Sequence, residues 1–142
     1  MKTVLCIVSI MLVMGCADAQ KVKESQVPAP VVSSFNKMYP TVKEKQWELE
    51  DGNYEAEFDM DKSESSVTFD ATGNLLETEK EIAVKDLPAG VAEYVSKNYS
   101  GATVKEASEI TDAKGVKTYE AEIKGKDLIF DSTGKFLNEE KD

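Results

Sequence analysis

Three blocks of residues occur twice in this chain in the same order, and that duplication limits the possible folds more than any other feature. Val27-Pro28-Ala29-Pro30-Val31 through Tyr39 is restated as Leu87-Pro88-Ala89-Gly90-Val91 through Tyr99, with Lys37 over Lys97. Tyr54-Glu55-Ala56-Glu57-Phe58 returns as Tyr119-Glu120-Ala121-Glu122-Ile123. Val67-Thr68-Phe69-Asp70-Ala71-Thr72-Gly73 returns as Leu128-Ile129-Phe130-Asp131-Ser132-Thr133-Gly134. Length differences fall between the blocks, where loops are expected.

Each copy opens with a helix, because Pro28 and Pro88 suit a first helical turn and apolar residues then recur at helical spacing. These are Val31, Phe35, Met38 and Tyr39, then Val91, Val95 and Tyr99 with Tyr94 beside them. Pro40 and Ser100-Gly101 end the two helices. The period then changes to two. Tyr54, Ala56 and Phe58 alternate with Glu55, Glu57 and Asp59, and Tyr119, Ala121 and Ile123 with Glu120, Glu122 and Lys124, as in half-buried strands. Asp70-Ala71-Thr72-Gly73 and Asp131-Ser132-Thr133-Gly134 read as hairpin turns, and Glu50-Asp51-Gly52-Asn53 and Asp112-Ala113-Lys114-Gly115 as the turns before them. The expected fold is α+β: two tandem repeats, 27–82 and 83–142, each a helix plus a four-stranded antiparallel sheet, with the helices on one face. A repeat of about 60 residues is marginal by itself, so the two are expected to support one another.

Lys2, the apolar run Val4 to Met14 and the small residues Gly15 to Ala19 have the form of an export signal over 1–19, followed by a linker at 20–26. Two processing routes stay open: cleavage after Ala17-Asp18-Ala19, or lipidation of Cys16 in Val13-Met14-Gly15-Cys16. The apolar run is too short to span a bilayer, which needs ~20 residues. Both cysteines, Cys6 and Cys16, lie in this segment, and without Lys2 and Asp18 the rest carries 16 basic against 26 acidic side chains. Nucleic acid is excluded as a partner by that charge.

Catalysis lacks its usual instruments, since the chain has no His and no Cys beyond Cys16, and its serines have no motif partner. A metal would need an oxygen-only site. The one stretch with EF-hand-like spacing, Asp59 to Asp70, has Glu64 where that loop requires Gly and Asp70 where it requires Glu. A solvated hairpin loop, four residues longer than its counterpart, is the plainer reading. No cofactor and no metal site are expected. The candidate protein-binding residues are Glu55, Glu57, Glu120 and Glu122, on what the alternation makes an open, solvated sheet face, and Trp47, either a core residue matching Ile110 or an outward anchor. Tyr39, Phe58, Phe69, Tyr99, Phe130 and Phe136 are expected in the core.

The Leu-Pro-x-x-Val opening, the helix ending in Tyr, the Tyr-Glu-Ala-Glu-Phe strand and the Phe-Asp-x-x-Gly turn together resemble the PepSY-like periplasmic proteins of bacteria, which have a beta-lactamase-inhibitor-protein-like fold. The resemblance runs from Val27 to the C-terminus in both copies. It implies a tandem helix-plus-four-strand architecture, an envelope location and no catalytic residue. The inhibitor with this fold presents its concave sheet face to an enzyme. The function expected is therefore a non-enzymatic envelope module for a protein or peptide partner, an inhibitor or regulator of an exported enzyme. The alternatives are a calcium- or cation-binding envelope protein and a lipid-anchored spacer.

Overall fold

The computed structural model describes residues 19–141, so the signal-like segment with Cys6 and Cys16 lies outside the described residues. Within them are nine strands, two α-helices and two short 3-10 helices. The chain divides into two compact units, Met1–Thr78 and Glu79–Asp142. The class is α+β with antiparallel strand pairing.

The first unit begins with β1 (Gln20–Val22) and a 3-10 helix (Glu24–Gln26), then α1 (Ala29–Met38), β2 (Gln46–Glu50), β3 (Asn53–Met60) and β4 (Ser63–Phe69). The stretch expected as a linker is thus structured: β1 pairs along β2, and Val22 packs on the core. Pro28 caps α1 in an extended conformation, and its carbonyl accepts hydrogen bonds from the amides of Val31 and Val32. Val31 and Phe35, one helical turn apart, are fully buried against Trp47, Ala56, Phe58, Val67 and Phe69. Phe35 meets Trp47 and Phe58 edge-on at 5.5 and 5.3 Å. Burying a side chain such as Phe35 contributes roughly 1.5–3 kcal/mol.

The turn between β3 and β4 is only Asp61-Lys62, both at positive φ. No long loop exists here. The four residues by which this hairpin exceeds its counterpart are two further rungs, up to Met60 opposite Ser63. The candidate EF-hand stretch is consequently strand, tight turn and strand, a geometry that cannot wrap ligands around one ion.

The strand β5 (Leu75–Ile82) starts in the first unit and ends in the second. The second unit continues with a 3-10 helix (Val84–Asp86), α2 (Val91–Asn98), β6 (Glu106–Asp112), β7 (Lys117–Ile123), β8 (Lys126–Asp131) and β9 (Phe136–Glu140). Here Val91 and Val95 pack on Ala121, Ile123, Leu128 and Phe130. Tyr94 stacks on Phe136 at 4.6 Å. Of the expected core aromatics, Phe58, Phe69 and Phe130 are buried, while Tyr39, Tyr99 and Phe136 are half-buried at the rims of their clusters.

Both Asp-x-x-Gly segments are turns closed by their aspartates. The Asp70 carboxylate accepts from the Thr72 amide and hydroxyl and the Asn74 amide, and Asp131 repeats this with Thr133 and Lys135. Hydrogen bonds to the charged form hold Asp70 down at about 2. Gly73 has φ +87°, and a Cβ there would stand 2.7 Å from the Pro30 carbonyl oxygen. The glycine thus serves the turn and also the seating of α1.

Candidate functional site

Directly paired residues of antiparallel strands project on the same face. Reading across the second unit, Glu106, Glu122, Asp127 and Glu140 form one row over β6, β7, β8 and β9. The next row is Ser108, Glu120, Ile129 and Asn138. The helix α2 packs on the opposite face, against Ala121, Ile123, Leu128 and Phe130. Four carboxylates therefore stand in line on the face away from α2, although like charges directly opposite one another destabilise a sheet.

The corresponding face of the first unit carries the row Lys21, Glu48, Glu55 and Thr68 over β1 to β4, and beside it Gln46, Glu57 and Ser66. Lys21 supplies a cation: its Nζ is 3.9 Å from the Glu48 carboxylate and donates to Gln46 Oε1 at 3.2 Å.

The alternation placed Glu55, Glu57, Glu120 and Glu122 on the helix-free faces. It did not show that these faces are largely closed. Glu55, Glu57 and Glu120 are only 5%, 9% and 8% exposed, with Glu48, Glu79 and Asp127 as deeply buried. Only Glu122, with 26% of its side chain exposed and Lys105 Nζ at 3.5 Å, has a solvated aspect. The expectation of a solvated face is corrected accordingly: β3 and β7 have paired strands on both sides, so their neighbours' side chains cover them.

Trp47 is also corrected as an outward anchor. It is 3% exposed and lies in the α1-facing core, where its indole N–H reaches the Glu24 carboxylate at 3.4 Å. Nor does it match Ile110. Trp47 stands opposite Ala56, and the same rung of the second unit pairs Ala107 with Ala121. Ile110, opposite Thr118, belongs to the acidic face, and so does Ile129. Both are buried yet stand outside the α2-facing cluster.

These isoleucines give the acidic face of the second unit a low-dielectric patch, and Glu120 lies in it beside Ile129. Its Oε2 is inaccessible to solvent and has no hydrogen-bond partner. Burial, then the charges of Glu79, Asp127, Glu140 and Glu122, push its pKa up to about 9. Burial also raises Glu140. Its surroundings therefore favour the protonated form of Glu120, with acidic neighbours on β5, β7, β8 and β9. Glu48, Glu79, Glu106, Asp127 and Glu140 complete the two acidic faces. Sequence alternation alone could not gather them, because their alignment depends on strand register.

Elsewhere in the second unit a shallow groove of about 560 Å³ runs beside α2, lined by Lys97, Lys135, Tyr94 and Phe136 among others. Among the described residues no three acidic, His or Cys side chains are grouped to hold a metal ion, and no helix is long and apolar enough to cross a membrane.

A protein-family model described as "Putative beta-lactamase-inhibitor-like, PepSY-like" matches residues 15–77 and 52–138. A BLIP-like protein from Bacteroides fragilis is similar in structure, with TM-score 0.63 and 25% identity over 80% of this chain and 86% of that one. A DUF2874 family protein from Bacteroides ovatus has TM-score 0.69 and 24% identity over 80% of this chain and 86% of its own. A protein from Bacteroides eggerthii, described among "putative periplasmic proteins", has TM-score 0.72 and 18% identity over 81% of this chain and 88% of its own. Comparison with curated proteins gave no match. The family match spans both units, and the chain belongs to the beta-lactamase-inhibitor-like, PepSY-like family.

Proposed function

We propose that this chain is a non-enzymatic binding module of the cell envelope, built from two helix-and-sheet repeats, which takes a basic segment of a protein or peptide on its acidic sheet face. The observation that carries the reading is the row Glu106, Glu122, Asp127 and Glu140. A row of like charges opposes folding, and a cationic partner converts that cost into attraction and faster encounter. The beta-lactamase-inhibitor-like family and a BLIP-like structural neighbour support a protein as the partner, with inhibition or regulation of an exported enzyme as the role. The signal-like segment and the description of the Bacteroides eggerthii neighbour support an envelope location, with lipidation at Cys16 as the alternative to release.

The test is affinity capture from an envelope extract of the source cell by residues 20–142. The control carries Glu106→Gln, Glu122→Gln and Glu140→Gln, which remove rim charges and avoid the buried glutamates. A protein held by the parent, released by salt and not held by the control is the expected result. Equal capture by both chains would sink the acidic-face reading.

A further inference from the structure

We infer that the second unit holds a receptor site for one arginine side chain of the docking partner, in which the buried carboxyl of Glu120 receives the guanidinium. The inference rests on the reading that a basic segment docks on this face, and it names the contact at the centre.

The geometry begins with Glu120 itself. It is 8% exposed, it stands between Ser108 and Ile129, and its Oε2 has no hydrogen-bond partner. A buried oxygen left without a partner is costly, so the free fold carries a defect that a donor from outside would repair. Acids act on this residue from four strands: Glu79 from β5, Glu122 from β7, Asp127 from β8 and Glu140 from β9, while β6 places Ser108 opposite it. Glu106 on β6 stands opposite Glu122. The named cation nearest the row is Lys105, and it is engaged with Glu122 at the rim.

Among the described residues no three acids converge as one metal ion requires. A guanidinium is planar and carries five N–H donors in a fork, so it can bridge carboxylates on neighbouring strands that a point charge would not satisfy together. Glu122 and Glu140, both partly exposed, stand on the row next to Glu120.

The exchange balances in charge and atoms. In the free protein, burial and the acidic neighbours favour the protonated form of Glu120, and the guanidinium takes the place of that proton. When the guanidinium arrives still protonated, the Glu120 O–H bond breaks, its proton leaves to solvent, and the resulting carboxylate accepts the guanidinium N–H. Binding therefore releases up to one proton, and affinity rises with pH by as much as about tenfold per unit below the pKa of the free acid.

The test titrates residues 20–142 with the peptide acetyl-Gly-Arg-Gly-amide at pH 6, 7 and 8 and fixed ionic strength, followed by NMR. Parallel titrations use Glu120→Gln and the rim variant Glu122→Gln/Glu140→Gln. The parent is expected to bind more tightly at each higher pH, by several-fold to tenfold per unit, and calorimetry in two buffers should find close to one proton released. Glu120→Gln should bind weakly and without pH dependence. The carboxyl carbon of Glu120 should titrate above pH 7 in the free protein; a midpoint in the ordinary carboxylate range overturns the exchange. Peptide binding that is lost in the rim variant yet unchanged by pH or by Glu120→Gln overturns the inference and leaves the acidic docking face standing. No peptide binding overturns the inference too, and capture of the natural partner then decides the docking face separately. Proton release driven by calcium chloride and not by the peptide would assign the site to a metal ion.

Discussion

The two units handle the same problem, an apolar face and an acidic face on one sheet, in different ways. On the apolar side, the rung that holds Trp47 opposite Ala56 in the first unit holds Ala107 opposite Ala121 in the second. Trp47 joins Phe35, Tyr39 and Phe58 in one aromatic cluster, whereas the second unit gathers Tyr94, Tyr99, Phe130 and Phe136 and leaves this rung to alanines. On the acidic side, the first unit's row includes its own cation, Lys21, while the second unit's row is four acids with Glu120 beside it. The difference teaches where stability and function separate. The first unit sets a cation, Lys21, within its row beside Glu48, and the second meets its row with Lys105 at the rim, on Glu122.

The largest effect should come from the core rung. Trp47→Ala should cost about 3–5 kcal/mol, read as a lower urea midpoint, since it removes a buried indole and leaves a cavity. Ala107→Trp, the reverse change on the matching rung, should cost about 1–3 kcal/mol by overpacking. If Trp47→Ala costs under about 1 kcal/mol, the tryptophan rung is not what distinguishes the first unit.

Next comes Glu120→Gln, which should stabilise the chain. The folded pKa of Glu120 lies above that of an ordinary carboxylate, at about 9 against 4.5. Between those values the folded state binds more protons than the unfolded one, so this group's contribution to stability is fully present below pH 4.5 and is lost as pH rises toward 9. Gln removes the dependence. The variant should match the parent near pH 4 and exceed it by about 2 kcal/mol at pH 8, well under the full linkage value because neighbouring carboxylates share the proton. Thermal melts across pH 4 to 8 measure it, and parallel curves for parent and variant would remove the strain from the comparison.

Much of this architecture was legible in the sequence, and the parts that were not have physical causes. Alternation at Tyr54 to Phe58 and Tyr119 to Ile123 named the two faces, because side chains alternate strictly along a strand. It was silent on burial, since alternation along one strand does not say which side chains the paired strands set beside Glu55 and Glu120. The match of Trp47 to Ile110 failed through register. Ile110 lies three residues beyond the true counterpart, Ala107, and an odd shift moves a side chain to the other face. The polar stretch at 20–26 gave no apolar period, so β1, held by its pairing with β2, was read as a linker. Asp70 and Asp131 were legible in full, because an Asx turn is closed by residues two and four positions on.

The smallest change tests the comparison most directly, by giving the first unit the second unit's pattern. Lys21→Glu turns the row Lys21, Glu48, Glu55 and Thr68 into a run of three acids. Lys21 is 62% exposed and its ion pair with Glu48 is long, at 3.9 Å, so solvent screens most of the interaction. The expected loss is about 0.5–1 kcal/mol at low salt, from the missing pair and the new like-charge contact together. It should shrink in ~1 M salt, where the screening length falls to about 3 Å. A loss of that size that ignores salt would mean that Lys21 holds β1 by packing its aliphatic stem, and the contrast between the two rows would then rest on the second unit alone.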